Sequence, residues 1–471
     1  MTLSEIETDY LIVGAGASGM AFADALIAEC DADVVMVERR HCPGGHWNDA
    51  YPFVRIHHAS ACYGVNSRML GTDSIDQTGP NAGFYERSTA VEICAYYQRV
   101  LDEVLLPSGQ VRFFGMCDYV GDWANAHAFI SRVTSAGTTV RVRRRIVDTT
   151  YLDVTVPATH TPSFTVDPDV TFIPLGELTN LAERPTGYTI IGAGKTAMDA
   201  CNWLLDNGEE PDRIRWIRPR EAWLLDRLTL QPLDLVTETV NGLSLGVEAL
   251  AQAETADALW PRLEACGQLQ RFDPQIMPTM FRGAILNAAE REALMQIENV
   301  VRLGRVQSLG ADRIILEKGE IPTERGHVYV DCTVCGYHKR PVRPIFEPGR
   351  IVIQSLIGAV QTYYAAMLGF IESTGRDDAE KNRLCPPVAQ VDVPLDWVRF
   401  VHGMLNTSAL HATEPDITAW QASSRLNLTR GMENHLSEPR MKTALDRWQA
   451  NAEPALKNAE RLLAEASSMT G

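Results

Sequence analysis

The chain has 471 residues, 45% hydrophobic and 22% charged, a balance that fits a globular protein with large cores and excludes a disordered or fibrous one. Its formal charge of −17 repels a phosphodiester backbone, which argues against nucleic acid as a partner. The acidic opening Met1 to Glu7 has no basic stretch before an apolar one, and the ten cysteines are scattered, so a cytoplasmic protein with reduced thiols is expected. No metal site is expected.

In chain order, the first informative stretch is Thr8-Asp9-Tyr10-Leu11-Ile12-Val13-Gly14-Ala15-Gly16-Ala17-Ser18-Gly19. An apolar run stops at Gly-x-Gly-x-x-Gly, and helix formers follow from Met20 to Glu29, giving strand, tight turn and helix. Gly14 permits the sharp turn, Gly16 clears the path of a pyrophosphate, and Gly19 lets the helix lie close on the strand. The helix N-terminus offers unpaired N–H groups to the anion. A second strand, Asp33 to Val37, ends in Glu38, 24 positions past Gly14 and placed to meet ribose hydroxyls. An adenine dinucleotide is expected here.

Gly44-Gly45 then marks a second place where backbone passes close to a cofactor. Glu92 to Val104 reads as an amphipathic helix, Val111 to Phe114 as a strand, and Ala128 to Val133 with Thr139 to Val147 as a hairpin. A linker rich in Pro and Thr spans Val156 to Pro168. The opening unit then recurs as Tyr188-Thr189-Ile190-Ile191-Gly192-Ala193-Gly194-Lys195-Thr196-Ala197, and the strand after it ends in Arg218-Pro219-Arg220 instead of an acid. Arginines there pair with a 2′-phosphate that a carboxylate would repel, so NADPH is expected over NADH. Residues 243–299 read as a helical insertion, with Met277, Met280 and Phe281 expected in its core. Val328 to Thr333 reads as a strand leading back to the first domain, and Met441 to Ala464 as a polar terminal helix. Ile351 to Ile371 is apolar but carries Gln354, Ser355, Gln361 and Thr362, so a buried helix is expected and no integral membrane span.

Two dinucleotide fingerprints 178 residues apart, with the chain returning afterwards, resemble the two-dinucleotide-binding-domain flavoproteins. The resemblance implies an α/β fold with two Rossmann-like domains, the NAD(P)H domain inserted into the FAD domain, and a helical C-terminal region. The expected divisions are 1–155 for the first part of the FAD domain, 170–328 for the NAD(P)H domain, and 329–471 for the return and the helical region. Gly44-Gly45-His46-Trp47 with Tyr51-Pro52 is similar to the Gly-Gly-x-Trp…Tyr-Pro segment of class B flavin monooxygenases. Val65-Asn66-Ser67-Arg68 is similar to the stretch whose Asn contacts the oxygen-reactive flavin region. The family's Phe-x-Gly-x-x-x-His-x-x-x-Trp/Tyr signature is replaced by Phe172 to Leu181, without histidine. Asp148-Thr149-Thr150 and Asp331-Cys332-Thr333 stand where Ala-Thr-Gly is usual. Cys332 and Cys335 have redox spacing but are expected to be unrelated thiols.

The resemblance therefore implies an FAD-dependent, NADPH-consuming monooxygenase of a small organic substrate, with O₂ as co-substrate. The alternative is a flavin reductase that passes electrons to an organic acceptor. Expected FAD contacts are Gly14, Gly16, Ser18, Gly19, Glu38, Arg39, Gly45, His46 and Trp47. Expected NADPH contacts are Gly192, Gly194, Lys195, Thr196, Arg218 and Arg220. Arg55, His57 and Asn66 are the catalytic candidates, and His57 and His58 are expected to point opposite ways on a strand.

Overall fold

A computed structural model describes residues 4–152, 154–334, 336, 339–356 and 360–468. The opening strand Ser4–Val13 lies between Val34–Val37 and Gly137–Asp148, parallel to both. All four residues of Val34–Val37 are buried, as a parallel strand covered on both faces requires. Val111–Phe114 extends the sheet beyond Val34–Val37, and Arg350–Val352 lies parallel to Gly137–Asp148 on the other side. The hairpin forms as expected, Ala128–Ser131 against Gly137–Asp148, with Cys117–Tyr119 added at its edge. Its arginines reach the neighbouring strand, where Arg143 pairs with Glu7 at 2.8 Å and Asp9 at 2.9 Å.

A second, wholly parallel sheet runs Val300–Val301, Ile214–Ile217, Gly187–Ile191, His327–Asp331, Phe172–Pro174. The chain thus leaves the first sheet after Asp148, builds the second unit, and rejoins the first at Phe346–Glu347, which pairs antiparallel with Arg350–Val352. His327–Asp331, expected to lead back, is a central strand of the second sheet beside the fingerprint strand. Val328, Tyr329 and Val330 are apolar on both faces, which suits them to that buried position.

The two crossings between units repeat one local device. Asp148 Oδ1 accepts from Thr150 N at 2.9 Å and Thr150 Oγ1 at 2.8 Å. Asp331 Oδ1 accepts from Thr333 N at 2.9 Å and Thr333 Oγ1 at 2.7 Å. Each aspartate holds the turn that carries the chain off its strand. Cys332 is buried at the second crossing, where burial pushes its thiol well up; Cys335 lies outside the described residues.

The insertion differs from expectation. It opens with a strand, Ala222–Asp226, flanked by Met280–Leu286 in parallel and Leu269–Gln270 in antiparallel pairing. Helices Val236–Gln252, Ala256–Ala265 and Ala288–Met295 complete it. Met280 and Phe281 are buried in this sheet, and Met277 is exposed. The terminal helix Pro439–Ser468 lies against Val236–Gln252 and Leu395–His411. Its composition is polar, but Met441, Ala444, Ala455, Ala459 and Leu462 share a buried face. Gln361–Ser373 crosses the first fingerprint helix, Ala17–Glu29, so the second half of the apolar stretch is a buried helix as expected, while its start, Ile351–Val352, is a buried strand of the first sheet. Among the described residues no helix is long and apolar enough to cross a membrane.

The crossing of those two helices depends on Gly369, whose absent Cβ would stand 2.5 Å from the Phe22 carbonyl oxygen. Gly369→Ala is expected to lower unfolding free energy by about 1–3 kcal/mol through overpacking. The shift in urea midpoint measures it.

Candidate functional site

The two fingerprints are built alike. Gly14 has φ +100 and its Cβ would meet Thr149 Oγ1 at 2.5 Å; Gly192 has φ +148 and would meet the Cys332 carbonyl oxygen at 2.3 Å. Each glycine therefore lets its strand end turn beneath the crossing residue of the same unit. Gly19 would clash with the Gly14 carbonyl at 2.1 Å, so the helix lies as close to the turn as the sequence predicts. Helix Ala17–Glu29 starts from Gly16 and helix Lys195–Asp206 from Gly194, neither with a side-chain cap. Their first-turn N–H groups are left to whatever anion occupies the site.

Glu38 ends the second strand almost fully buried. Its Oε2 accepts from Ala15 N at 2.8 Å and its Oε1 from Arg40 N at 2.9 Å, so it braces the glycine turn as well as facing the cavity. Gly45, at φ +58, passes over Gly16, with its absent Cβ 2.8 Å from Gly16 Cα. The Gly-Gly pair brings one backbone onto the other at the floor of the site.

A continuous cavity of about 1340 Å³ joins the two units. Gly14, Gly16, Ser18, Glu38, Arg39, Gly45, His46 and Trp47 line it from the first unit, and Gly194, Lys195 and Thr196 from the second. Gly19 and Gly192 lie beneath the lining, as packing residues. His57 and His58 both line the cavity, on a bend and not on a strand, so the expected opposite orientation does not arise. Trp47 donates to Tyr63 Oη at 2.7 Å and stacks on His46 at 5.2 Å between ring centroids. Burial lowers the His46 pKa to about 4.

Four predicted residues lie elsewhere. Arg55 is exposed and donates to the Arg87 carbonyl at 2.8 Å. Asn66 accepts from Ser424 Oγ at 2.8 Å, turned toward the C-terminal region and off the cavity lining. Arg218 is buried between the Trp216 and Phe272 rings, 4.6 and 4.7 Å from their centroids, and donates to Glu221 at 2.9 Å. Arg220 pairs with Asp392 at 2.9 Å. Burial would raise Asp392, but Lys339, Arg220 and Arg282 outweigh it and hold its carboxyl well below the usual range.

A buried ionic cluster joins the units beside His57. Lys195 pairs with Asp199, which also accepts from Tyr51 Oη at 2.6 Å. Arg87 and Arg227 pair with Glu290 at 3.0 and 2.6 Å. Burial pushes Glu290 up, but Arg87, Lys195 and Arg227 outweigh it and hold it at about 2. Glu290 is also the third residue of a capping box opened by Asn287, which fixes its position on helix Ala288–Met295. Lys195, Arg87 and Arg227 thus gather around Asp199 and Glu290, with Asp206 and Asp226 close enough to act on the same groups. Desolvation first, then Lys195, His58, Arg87 and Arg227, lower the His57 pKa well below 6.5, so its imidazole is neutral at pH 7. Sequence reading missed this cluster, although Lys195 and Asp199 stand at the i, i+4 helical spacing of an ion pair and Asn287-x-x-Glu290 has the capping-box form.

Residues 12–62 match the family model of the NAD(P)-binding Rossmann-like domain. Over 441 residues the chain is 44% identical to uncharacterized proteins of Mycobacterium tuberculosis and Mycobacterium bovis, covering 93% of this chain and 81% of each relative. Among solved structures it is similar to a closed form of cyclohexanone monooxygenase, with TM-score 0.48, 13% identity and coverage of 90% of this chain and 93% of that one. It is also similar to the bacillithiol disulfide reductase of Bacillus cereus, with TM-score 0.44, 11% identity and coverage of 79% and 100%.

The lowered His57 pKa gives a signed stability prediction. Between the folded value and the ordinary 6.5, the unfolded chain binds a proton that the folded chain does not. The contribution is complete above pH 6.5 and is lost as pH falls below it. His57→Gln is expected to flatten the acid-side slope of unfolding free energy by up to about 1.4 kcal/mol per pH unit. Urea titrations at stepped pH measure the slope.

Proposed function

This chain belongs to the same family as those mycobacterial proteins, and we propose that it is an FAD-dependent oxidoreductase that takes hydride from NADPH and uses O₂ to monooxygenate a small organic substrate. The observation that carries the reading is that both glycine fingerprints open onto one cavity. A cavity of about 1340 Å³ exceeds the roughly 300–1,000 Å³ of a single small-molecule pocket, so it has room for more than one ligand.

The residues fit the cofactors. Gly16 and Gly45 let two backbones close up on each other at the floor of the cavity, the uncapped helix start at Ala17 opens onto it for a pyrophosphate, and Glu38 has lone pairs left for ribose hydroxyls. On the second unit the helix start at Lys195 receives the other nucleotide. A 2′-phosphate there would be held by Arg220 and Arg302, which keep accessible surface at the strand end while paired with Asp392 and Glu221; Arg218 is enclosed by two rings and Glu221. Bound FAD would supply hydride acceptance and reaction with O₂, and bound NADPH the hydride. The protein's part is to orient the two rings, exclude water and manage protons. His57 stands at the cavity wall as a neutral imidazole able to hydrogen-bond a reacting group, and Lys195 on the same wall favours negative charge developing beside it.

One feature favours the second reading, electron transfer to an organic acceptor without oxygenation. Asn66, which the resemblance would place at the oxygen-reactive region, bonds Ser424 off the cavity lining. NADPH oxidation is measured under labelled O₂ with candidate substrates: label in the product supports oxygenation, and quantitative reduction of an acceptor with unlabelled product supports the alternative. Protein that purifies colourless and does not take up FAD overturns both.

Arg220→Ala is expected to raise the Michaelis constant for NADPH about tenfold, one charge-assisted hydrogen bond's worth, and leave NADH use near its original value. Arg218→Ala is expected to lower stability and to weaken both nucleotides alike. Parallel steady-state kinetics and thermal melts separate the two effects.

A further inference from the structure

Asp392 draws cations from three separate elements onto one carboxylate. Its Oδ1 accepts from Arg220 Nη2 at 2.9 Å and from Arg282 Nε and Nη2, both at 2.8 Å. Its Oδ2 accepts from Lys339 Nζ at 2.9 Å. Arg220 stands just past strand Ile214–Ile217 of the second nucleotide unit, and Arg282 lies on the insertion strand Met280–Leu286. Lys339 belongs to the segment that returns to the first sheet. These donors fill the roughly four lone-pair sites of a carboxylate, so Asp392 has no acceptor capacity left for a ligand. The cations are different. Side-chain exposures of 26, 38 and 64% leave Arg220, Arg282 and Lys339 with open surface, and the last two line the cavity.

Asp396, four residues on, is engaged elsewhere. It accepts from Asp392 N at 2.8 Å and Val393 N at 3.0 Å and pairs with Arg399. Gathering three long side chains on Asp392 costs their rotamer freedom and sets like charges side by side. Two guanidiniums meeting at one oxygen atom suit a phosphate, with three acceptor oxygens and up to two charges, better than a carboxylate. The place agrees, since Arg220 stands at the strand end where a 2′-phosphate comes to such a unit. The backbone of Asp392 is held from both sides, its N–H by Asp396 and its carbonyl by Phe281 N at 2.9 Å. The carboxylate can therefore leave the cations by turning about its own side-chain bonds, without moving the chain.

We infer that the Asp392 carboxylate stands in for the 2′-phosphate: it holds Arg220, Arg282 and Lys339 together and yields them to NADPH on binding. The inference rests on the NADPH-dependent reading of this cavity and adds the residue that sets how strongly the phosphate counts. Asp392 gathers the donors, but its own negative charge opposes the phosphate that needs them. The preference for NADPH over NADH is therefore smaller than the three cations alone would give.

Two nucleotide fragments test this on the protein as purified: adenosine 2′,5′-bisphosphate, which carries the 2′-phosphate, and adenosine 5′-monophosphate, which lacks it. Calorimetric titration reads both, while flavin absorbance and its bleaching by NADPH are recorded on the same samples. Asp392→Asn keeps the shape and removes the charge. It is expected to bind the bisphosphate about tenfold tighter and the monophosphate as before. Lys339→Gln is expected to weaken the bisphosphate about fivefold, again without moving the monophosphate. Should Asp392→Asn fail to fold, a crystal structure of the unmodified protein with the bisphosphate reads the same point. A 2′-phosphate on Arg220 and Arg282 with Asp392 turned away supports the exchange, and Asp392 still bonded to both arginines beside the phosphate overturns it. Equal or weaker binding of the bisphosphate by Asp392→Asn, a change common to both fragments, a Lys339→Gln protein unchanged toward the bisphosphate, or no binding of it by the unmodified protein also overturns the inference. Any of these with bleaching by NADPH intact removes the role of Asp392 alone; unmodified protein without flavin, or with flavin that NADPH does not bleach, overturns the preceding reading.

Discussion

The contact between each fingerprint turn and its own crossing residue is the constraint on which the rest of the structure depends. Gly14 sits under Thr149 and Gly192 under Cys332, at distances no side chain tolerates. The same positions that open each nucleotide site therefore also fix where the chain leaves its sheet. Because Asp148 and Asp331 hold both departures with the same pair of hydrogen bonds, the second unit emerges from the first at a defined angle. The joint cavity follows from that repetition: two similar exits, facing each other, place both helix N-termini on one volume.

Charge then distinguishes the two ends of that volume. Near His57 the wall backs onto the buried ion pairs of Lys195, Arg87 and Arg227, and near Trp448 it is lined by apolar side chains. Ion pairs gather on the nucleotide units and apolar lining on the helices of the insertion and of the C-terminal region.

The paired units were legible because a turn with positive φ and a backbone-to-backbone approach admit essentially one residue type, so glycine at those spacings carries its meaning locally. What was not legible depends on partners far away in sequence. Arg218 reads as a phosphate ligand until Phe272, from the insertion, closes over its guanidinium. Asn66 reads as a cofactor contact until Ser424 takes its carbonyl oxygen. The strands Ala222–Asp226 and Met280–Leu286 escaped detection because the first is a short apolar run and the second is broken by Arg282 and Gly283, so neither shows a clean alternation. The terminal helix read as polar because its buried face is made largely of alanine, too small to register as a hydrophobic stripe.

The bond from Tyr51 to Asp199 has a mechanical consequence. It ties a loop of the first unit to the opening turn of the second unit's helix, and Lys195 holds the same carboxylate from the other side. A pivot of one unit against the other must pull a phenol away from a carboxylate in a place that water scarcely reaches. The hinge is consequently latched at the nucleotide's own doorway, and whatever displaces Lys195 from Asp199 also loosens the latch.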